Sequence, residues 1–180
     1  MIITKTEFDS LLILKYKSFE DSRGLFFESY RFDILNNHLD KKILFCQDNV
    51  VKSHKNVLRG LHFQNPNPQS KLITVLNGKI LDVAVDIRPN SRTYGKVFSI
   101  ELSKNNKTSL FIPKGFAHGY LSLENNTIVH YKVDDFYNKK SEKGIRYDDP
   151  KLKINWGINT KQIIISTKDK NLKPYKWTQN

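Results

Sequence analysis

The stretch Lys79-Ile80-Leu81-Asp82-Val83-Ala84-Val85-Asp86-Ile87 reads as a β-strand. Leu81, Val83, Val85 and Ile87 recur at every second residue, so an extended chain places all four on one face. Asn77-Gly78, just before it, has the composition of a two-residue hairpin turn. The same period of two runs outward from this strand. Short strands are expected at residues 97–102, 108–112, 118–123 and 127–133, with Asn105-Asn106 and Asn125-Asn126 supplying turns that tolerate positive φ. One short helix is expected over residues 31–39, and a β-like run, Ile163-Ile164-Ile165, lies near the C-terminus. Many short strands at spacings of roughly 8–12 residues indicate an all-β sandwich or barrel.

A chain of 180 residues predicts one domain spanning 1–180. Hydrophobic residues at 38% and charged residues at 27% fit a folded globular chain rather than a disordered one. No apolar run reaches the roughly 20 residues that span a bilayer. The opening Met1-Ile2-Ile3-Thr4-Lys5 has no apolar core or small-residue cleavage site, so the cytoplasm is the expected compartment and no membrane partner is expected. Cys46 is the single cysteine, which excludes an intrachain disulfide, and its neighbours Leu44 and Phe45 predict a buried thiol.

The net charge is +12. That raises nucleic acid as a partner. The basic residues are 24 Lys and 6 Arg, however, and no lysine run is longer than two. This is a diffusely solvated surface, so nucleic acid is not expected. Several of the arginines sit in Gly-containing turns, where a phosphate could be held.

Three clusters carry chemistry. In Leu58-Arg59-Gly60-Leu61-His62-Phe63-Gln64, strict alternation groups Arg59, Leu61 and Phe63 on one face and Leu58, His62 and Gln64 on the other. By itself the segment leaves open whether His62 is a working group or a satisfied core histidine. The second cluster is Ile112-Pro113-Lys114-Gly115-Phe116-Ala117-His118-Gly119. Its Pro-x-Gly-x-x-His spacing resembles the second motif of the cupins, β-barrels with a site in the mouth. The companion stretch around His62 lacks a second His and a carboxylate, so no metal site is expected. In the third, Tyr131-Lys132-Val133-Asp134-Asp135-Phe136-Tyr137, alternation places Tyr131, Val133, Asp135 and Tyr137 on one face of an extended strand. A phenol there could pack in the core, act as an acid or stack on a base.

The chain as a whole resembles the dTDP-4-dehydrorhamnose 3,5-epimerase family. The resemblance rests on an ordered set of segments: residues 19–28, Gln47-Asp48-Asn49, residues 56–64, Ser70-Lys71-Leu72, residues 82–88, residues 112–119, Tyr131 with Tyr137, and Ser166-Thr167-Lys168-Asp169. It implies a cupin-like double-stranded β-helix, or jelly roll, with a few short helices. The implied activity is inversion at C3 and/or C5 of a nucleotide-linked 4-keto-6-deoxy sugar, without metal or cofactor. The implied setting is synthesis of a surface polysaccharide such as a capsule. A 4-keto group acidifies the C3 and C5 protons. Inversion then needs a base on one face, an acid on the other and a cation near the ketone oxygen.

By the same resemblance His62 is the base, Asp169 its dyad partner, Tyr131 the acid, and Lys71 the group facing the enolate oxygen. Tyr137 would stack on the nucleobase, and Arg59 and Arg23 would hold the diphosphate. Glu28, Gln47, Asp48, Asn49, His118, Glu142 and Lys168 resemble further substrate contacts. The resemblance also implies a homodimer whose N-terminal segments are exchanged, so that Arg23 and Glu28 serve the partner's site.

Two stretches depart from the family pattern. Ile145-Arg146-Tyr147-Asp148-Asp149 has Tyr147 where a Trp is common, and Ser91-Arg92-Thr93-Tyr94-Gly95 replaces a Ser-Pro-Thr-Phe-Gly. The alternatives within the class are an epimerase of C3 only or C5 only, and one acting on a GDP-linked 4-keto-heptose. Outside it stand a non-catalytic sugar-nucleotide-binding cupin and a metal-dependent dioxygenase.

Overall fold

The computed structural model describes residues 1–177. The strands, in chain order, are β1 (Ile2–Lys5), β2 (Leu12–Lys15), β3 (Ser18–Asp21), β4 (Gly24–Phe27), β5 (Gln47–Ser53), β6 (Val57–Gln64), β7 (Lys71–Asn77), β8 (Lys79–Asp86), β9 (Val97–Ser103), β10 (Thr108–Ile112), β11 (Phe116–Ser122), β12 (Thr127–Val133), β13 (Glu142–Gly144) and β14 (Ile164–Ile165). The short helices are α1 (Phe32–Asn36) and α2 (Thr167–Lys170).

Alternating apolar residues force the strands into two sheets. One has the order β1-β2-β10-β7-β12-β5, the other β13-β6-β11-β8-β9 with β14 alongside β6; β3 and β4 form a separate hairpin. Between the sheets, Ile73, Val75, Leu110 and Val129 from the first meet Ile80, Ala84, Leu102 and Phe116 from the second. Each of these side chains except the small Ala84 contributes about 1.5–3 kcal/mol on burial. The outer faces are covered too. Leu35 of α1 lies over Leu14, Leu72 and Phe111, and Leu152, Trp156 and the 163–177 segment lie over Leu58, Leu61, Val83 and Val85. This is the jelly-roll architecture expected.

Leu81, Val83, Val85 and Ile87 do share a face, but it is the outer one, under the C-terminal segment. The barrel interior takes Ile80, Asp82 and Ala84.

Asn77-Gly78 is not a hairpin turn. β7 pairs with β10 and β12, whereas β8 pairs with β11 and β9, so this turn passes the chain from one sheet to the other. Gly78 has φ +77°, and a Cβ there would come within 2.9 Å of Thr127 Cα. The turns after β9, β10 and β11 are sheet-crossing corners as well. Asn126 is left-handed as expected (φ 56°), but in the β9–β10 corner the left-handed residue is Lys107 (φ 54°) rather than either asparagine.

Other expectations are corrected in detail. The helix is shorter than residues 31–39: it starts at Phe32, where Arg31 gives no side-chain cap, and passes into turns after Asn36. Cys46 is exposed, since it enters the edge strand β5 rather than a core strand. β12 ends at Val133, so Tyr137 does not lie on the same strand as Tyr131.

Candidate active site

A cavity of about 530 Å³ opens between the sheets at one end of the barrel, lined by Arg59, His62, Lys71, His118, Tyr131 and Asp169, among others. β6 delivers two of these through an irregularity. His62 is registered with His118 and Arg59 with Tyr120, so three residues of β6 span what two residues of β11 span. That extra residue is a β-bulge, which breaks the alternation. Leu58 and Leu61 therefore share the outer apolar face, and Arg59 and His62 share the cavity, contrary to the strict-parity grouping. The two strands approach closely at the bulge. A Cβ on Gly60 (φ +114°) would lie 2.6 Å from Gly119 Cα, so neither position has room for a side chain.

His62 Nε2 is 2.7 Å from Asp169 Oδ1. Asp169 is 4% exposed, and its second oxygen accepts from the Gly60 N–H at 3.1 Å. α2 presents it, capped by Ser166 Oγ, which accepts from Asp169 N at 3.0 Å. Burial works to raise the Asp169 carboxyl, but the hydrogen bond and charge of His62 and the Gly60 N–H outweigh it and hold it below the usual value. An ionised Asp169 takes the proton-bearing Nε2, which leaves Nδ1 of His62 as the basic nitrogen.

Tyr131 stands on β12 in the opposite sheet, packed against the inter-sheet core. Loss of hydration raises its phenol above the ordinary value, with Arg59 pulling the other way, so it is held protonated and able to donate. Lys71 enters from the start of β7. Burial lowers its ammonium from 10.5 to about 8, although Asp82 and Glu142 oppose the change. It therefore remains mostly charged near neutrality while being far more weakly hydrated than a surface lysine. His118, behind it, is 2.5 Å from Asp82.

The rim is a chain of polar contacts. Glu142 Oε1 accepts from Lys168 at 2.6 Å and Oε2 from the Tyr137 hydroxyl at 2.8 Å. Gln47 reaches the same rim, its Oε1 accepting from Tyr137 N at 3.2 Å and its amide donating to Asn49 at 2.9 Å. Arg59 donates from Nε to Ser53 Oγ at 3.2 Å, which orients the guanidinium.

The fold thus brings together His62, Asp169, Tyr131, Lys71, Arg59, His118 and Lys168, with Glu142, Tyr137, Gln47 and Asn49 at the edge. Three expected contacts are elsewhere. The Asp48 side chain points out of the barrel, bonded to Lys132 Nζ at 2.7 Å, because β5 alternates and Asn49 takes the inward position opposite Tyr131. Arg23 sits in the turn of the β3–β4 hairpin, its side chain 88% exposed and paired with Asp21, and Glu28 is exposed just beyond it. Sequence reasoning missed Asp82, Ser53 and Tyr120. For Asp82 there was a signal, a carboxylate in the inward-facing row between Ile80 and Ala84.

Comparison with known proteins places the chain among relatives of one family. The dTDP-4-dehydrorhamnose 3,5-epimerase family model matches residues 5–176. A dTDP-4-dehydrorhamnose 3,5-epimerase from Methanothermobacter thermautotrophicus is 43% identical over 171 residues, covering 94% of this chain and 92% of that one. The crystal structure of a dTDP-6-deoxy-D-glucose-3,5-epimerase from Legionella pneumophila, in complex with dTDP-4-keto-L-rhamnose, superposes with TM-score 0.92 at 42% identity, covering 96% and 92% of the two chains. A dTDP-4-dehydrorhamnose 3,5-epimerase from Bacillus anthracis, with TDP and PPi bound, gives TM-score 0.91 at 40% identity, covering 97% and 99%.

Proposed function

Given that the chain belongs to the dTDP-4-dehydrorhamnose 3,5-epimerase family, we propose a division of labour among the residues of its cavity. The enzyme is an isomerase that inverts C3 and C5 of a nucleotide-linked 4-keto-6-deoxy sugar. Nδ1 of His62 takes the proton from the carbon beside the ketone, and the C–H electron pair forms the enolate. Asp169 stabilises the imidazolium that results. The negative charge collects on the C4 oxygen, where the Lys71 ammonium meets it. The Tyr131 hydroxyl delivers a proton to the opposite face of the same carbon, inverting it. Solvent restores the phenol and removes the proton from His62. The second carbon beside the ketone inverts by the same steps, with the same face of the ring toward His62.

Arg59, steadied by Ser53, leaves its terminal nitrogens for a diphosphate, which favours a bidentate guanidinium. Tyr137, 54% exposed at the rim, offers a face for the nucleobase. Thymine is that base in our reading, supported by relatives solved with dTDP-4-keto-L-rhamnose and with TDP. Residues 1–180 act as one domain of a homodimer. Phe19, Leu25 and Phe26 of the β3–β4 hairpin are 55%, 48% and 64% exposed, which supports a hairpin that covers a second copy and brings Arg23 and Glu28 to its cavity. No helix among the described residues is long and apolar enough to cross a membrane. We assign the enzyme to the cytoplasm and to polysaccharide sugar synthesis, the capsule included.

The observation that carries this reading is the placement of His62 on one sheet, paired with Asp169 of α2, and of the Tyr131 phenol on the other sheet, across one cavity. The test is incubation in D2O with nucleotide-linked 4-keto-6-deoxy sugars, the dTDP form first, followed by NMR. Deuterium at both C3 and C5 is expected. Label at one centre only makes the protein a mono-epimerase, and none with any such sugar overturns the reading.

A further inference from the structure

Asp82 does not line the cavity, and the mechanism above does not use it. It lies on β8 between Ile80 and Ala84, on the face that closes the barrel interior, and is fully buried. A carboxylate in such a place is costly unless it is paired. Its Oδ1 is 2.5 Å from His118 Nε2, and its Oδ2 has no hydrogen-bond partner among the described residues.

Lys71, on β7 of the facing sheet, lines the same cavity as His118, and the Asp82 charge acts on its ammonium through space. Lys71 faces three other titratable groups or their neighbours: Glu142 on β13, His118 on β11 and, behind His118, His62 on β6. Both oxygens of Glu142 are already taken, by Lys168 and by the Tyr137 hydroxyl. His118 is held neutral by burial and cannot serve as an anion. Asp82 is therefore the one of these groups with an uncommitted anionic oxygen.

We infer that Asp82 is a positioning residue: from behind the cavity wall its carboxylate fixes the His118 ring and directs a buried negative charge, through its unpartnered oxygen, toward the side of the cavity that holds Lys71. The inference rests on the reading of Lys71 as the cation that meets the enolate. Its rival is a purely structural His118–Asp82 pair that fills the barrel floor.

Asp82→Asn separates the two, since it keeps the size and a hydrogen bond to His118 but removes the charge. The first readout needs no substrate. In protein labelled with 13C-lysine, the Lys71 signal, assigned by its loss in Lys71→Arg, is titrated by NMR. Its midpoint is expected to fall by about one pH unit or more in Asp82→Asn. An unmoved midpoint overturns the inference whether or not the enzyme turns over. The second readout is the pH profile of kcat on the sugar that the wild type accepts. The alkaline limb is expected to move to lower pH, leaving kcat about tenfold lower above both midpoints, with KM little changed. A loss that is equal at every pH, with the limb unmoved, makes Asp82 structural and overturns the inference. Should Asp82→Asn fail to fold, Asp82→Glu takes its place. With the charge retained the alkaline limb is expected at its wild-type position, and a limb moved to lower pH is the contrary result. A wild type that exchanges no deuterium sinks the epimerase reading, while the Lys71 titration still decides this one.

Discussion

His62 and Tyr131 face one cavity from opposite sheets of the barrel, His62 on β6 and Tyr131 on β12. In the proposed mechanism a sugar ring held between the sheets presents one face to His62 as base and the other to Tyr131 as acid. The sandwich itself supplies this opposition, since each residue needs only to point inward from its own sheet. Asp169 adds polarity to it, holding the proton on the far nitrogen of His62 so that the near one is free.

Asp169→Asn is expected to lower kcat by about 10²–10⁴-fold, the scale of general acid–base effects, while dTDP binding persists. Both neighbours of the carboxylate are donors, His62 Nε2 and Gly60 N. An amide has one accepting oxygen for two donors, so it sets an N–H against one of them. Because the folded carboxyl lies below its ordinary value, the pair's contribution to stability is present above the unfolded value of about 3.9 and is lost as pH falls through the folded one. Acid unfolding curves should therefore be flatter for the variant. Wild-type kcat would remove Asp169 from the mechanism.

In the proposed mechanism Lys71 sets the alkaline side. With its ammonium at about 8, turnover should fall as pH rises through that value. The folded protein binds fewer protons here than the unfolded chain between about 8 and 10.5, so wild-type stability should rise with pH across that window. Lys71→Met removes the desolvated charge. It is expected to lose turnover yet gain on the order of 1–3 kcal/mol of stability at pH 7, from the size of the shift. Urea titrations at pH 7 and pH 10 check both, and a less stable Lys71→Met at pH 7 would contradict the account.

Much of this was legible in the sequence, and the failures have physical causes. Period-two patterning around Val83 and Val129 marks strands wherever they pair, so a two-sheet barrel was readable while the partner of each strand was not. Asn77-Gly78 shows why: a left-handed turn serves a hairpin and a sheet-crossing corner equally, and local chemistry does not distinguish them. The Gly60 bulge hides in the same way, because an extra residue changes no residue type and shows only in register. Tyr137, two by two from Tyr131, reads as the same strand, yet the chain bends after Val133 and a hydrogen bond to Glu142 returns the ring to the rim. Cys46 reads as core from Leu44 and Phe45, but all three lie on the approach to an edge strand, where apolar neighbours do not ensure burial. Asp48 travels with Gln47 and Asn49 in one tripeptide, and strand alternation separates its side chain from theirs.

Gly60→Ala tests the bulge. The added methyl would lie 2.6 Å from Gly119 Cα and 2.7 Å from the His118 carbonyl oxygen, both backbone atoms that cannot swing aside. Overpacking of this kind costs about 1–3 kcal/mol, and the positive φ adds strain. A loss of at least about 2 kcal/mol in urea denaturation is expected, together with reduced kcat, since Arg59 and His62 are placed by that turn of chain. Unchanged stability would show that the two strands can part without cost.

The β3–β4 hairpin bears on assembly. Phe26, at 64% exposure, is paired only loosely with Phe19, their ring centroids 6.4 Å apart, whereas Phe27 stacks on Tyr16 at 4.3 Å and anchors the hairpin to its own chain. If the hairpin covers a second copy as proposed, Phe26→Asp should leave the barrel folded but weaken the dimer and lower affinity for dTDP, because Arg23 and Glu28 would no longer reach the partner's cavity. Sedimentation and dTDP titration measure the two effects. A dimeric variant with unchanged affinity would place the interface elsewhere.

Tyr131→Phe is the sharpest test of the opposed-face arrangement. The ring stays, so packing against the inter-sheet core is kept and no cavity opens. With the hydroxyl gone, His62 still removes a proton and can return one, but to the same face. Exchange with solvent should continue while inversion falls steeply. In D2O the variant is expected to place deuterium in recovered, unepimerised sugar, a product the wild type would pass on to inversion. If Tyr131 were only a core aromatic, the variant would lose a little stability and keep the wild-type ratio of inversion to exchange. The two accounts differ in where the label sits, so a single NMR spectrum of recovered substrate and product separates them, and inversion at the wild-type rate would end the acid assignment.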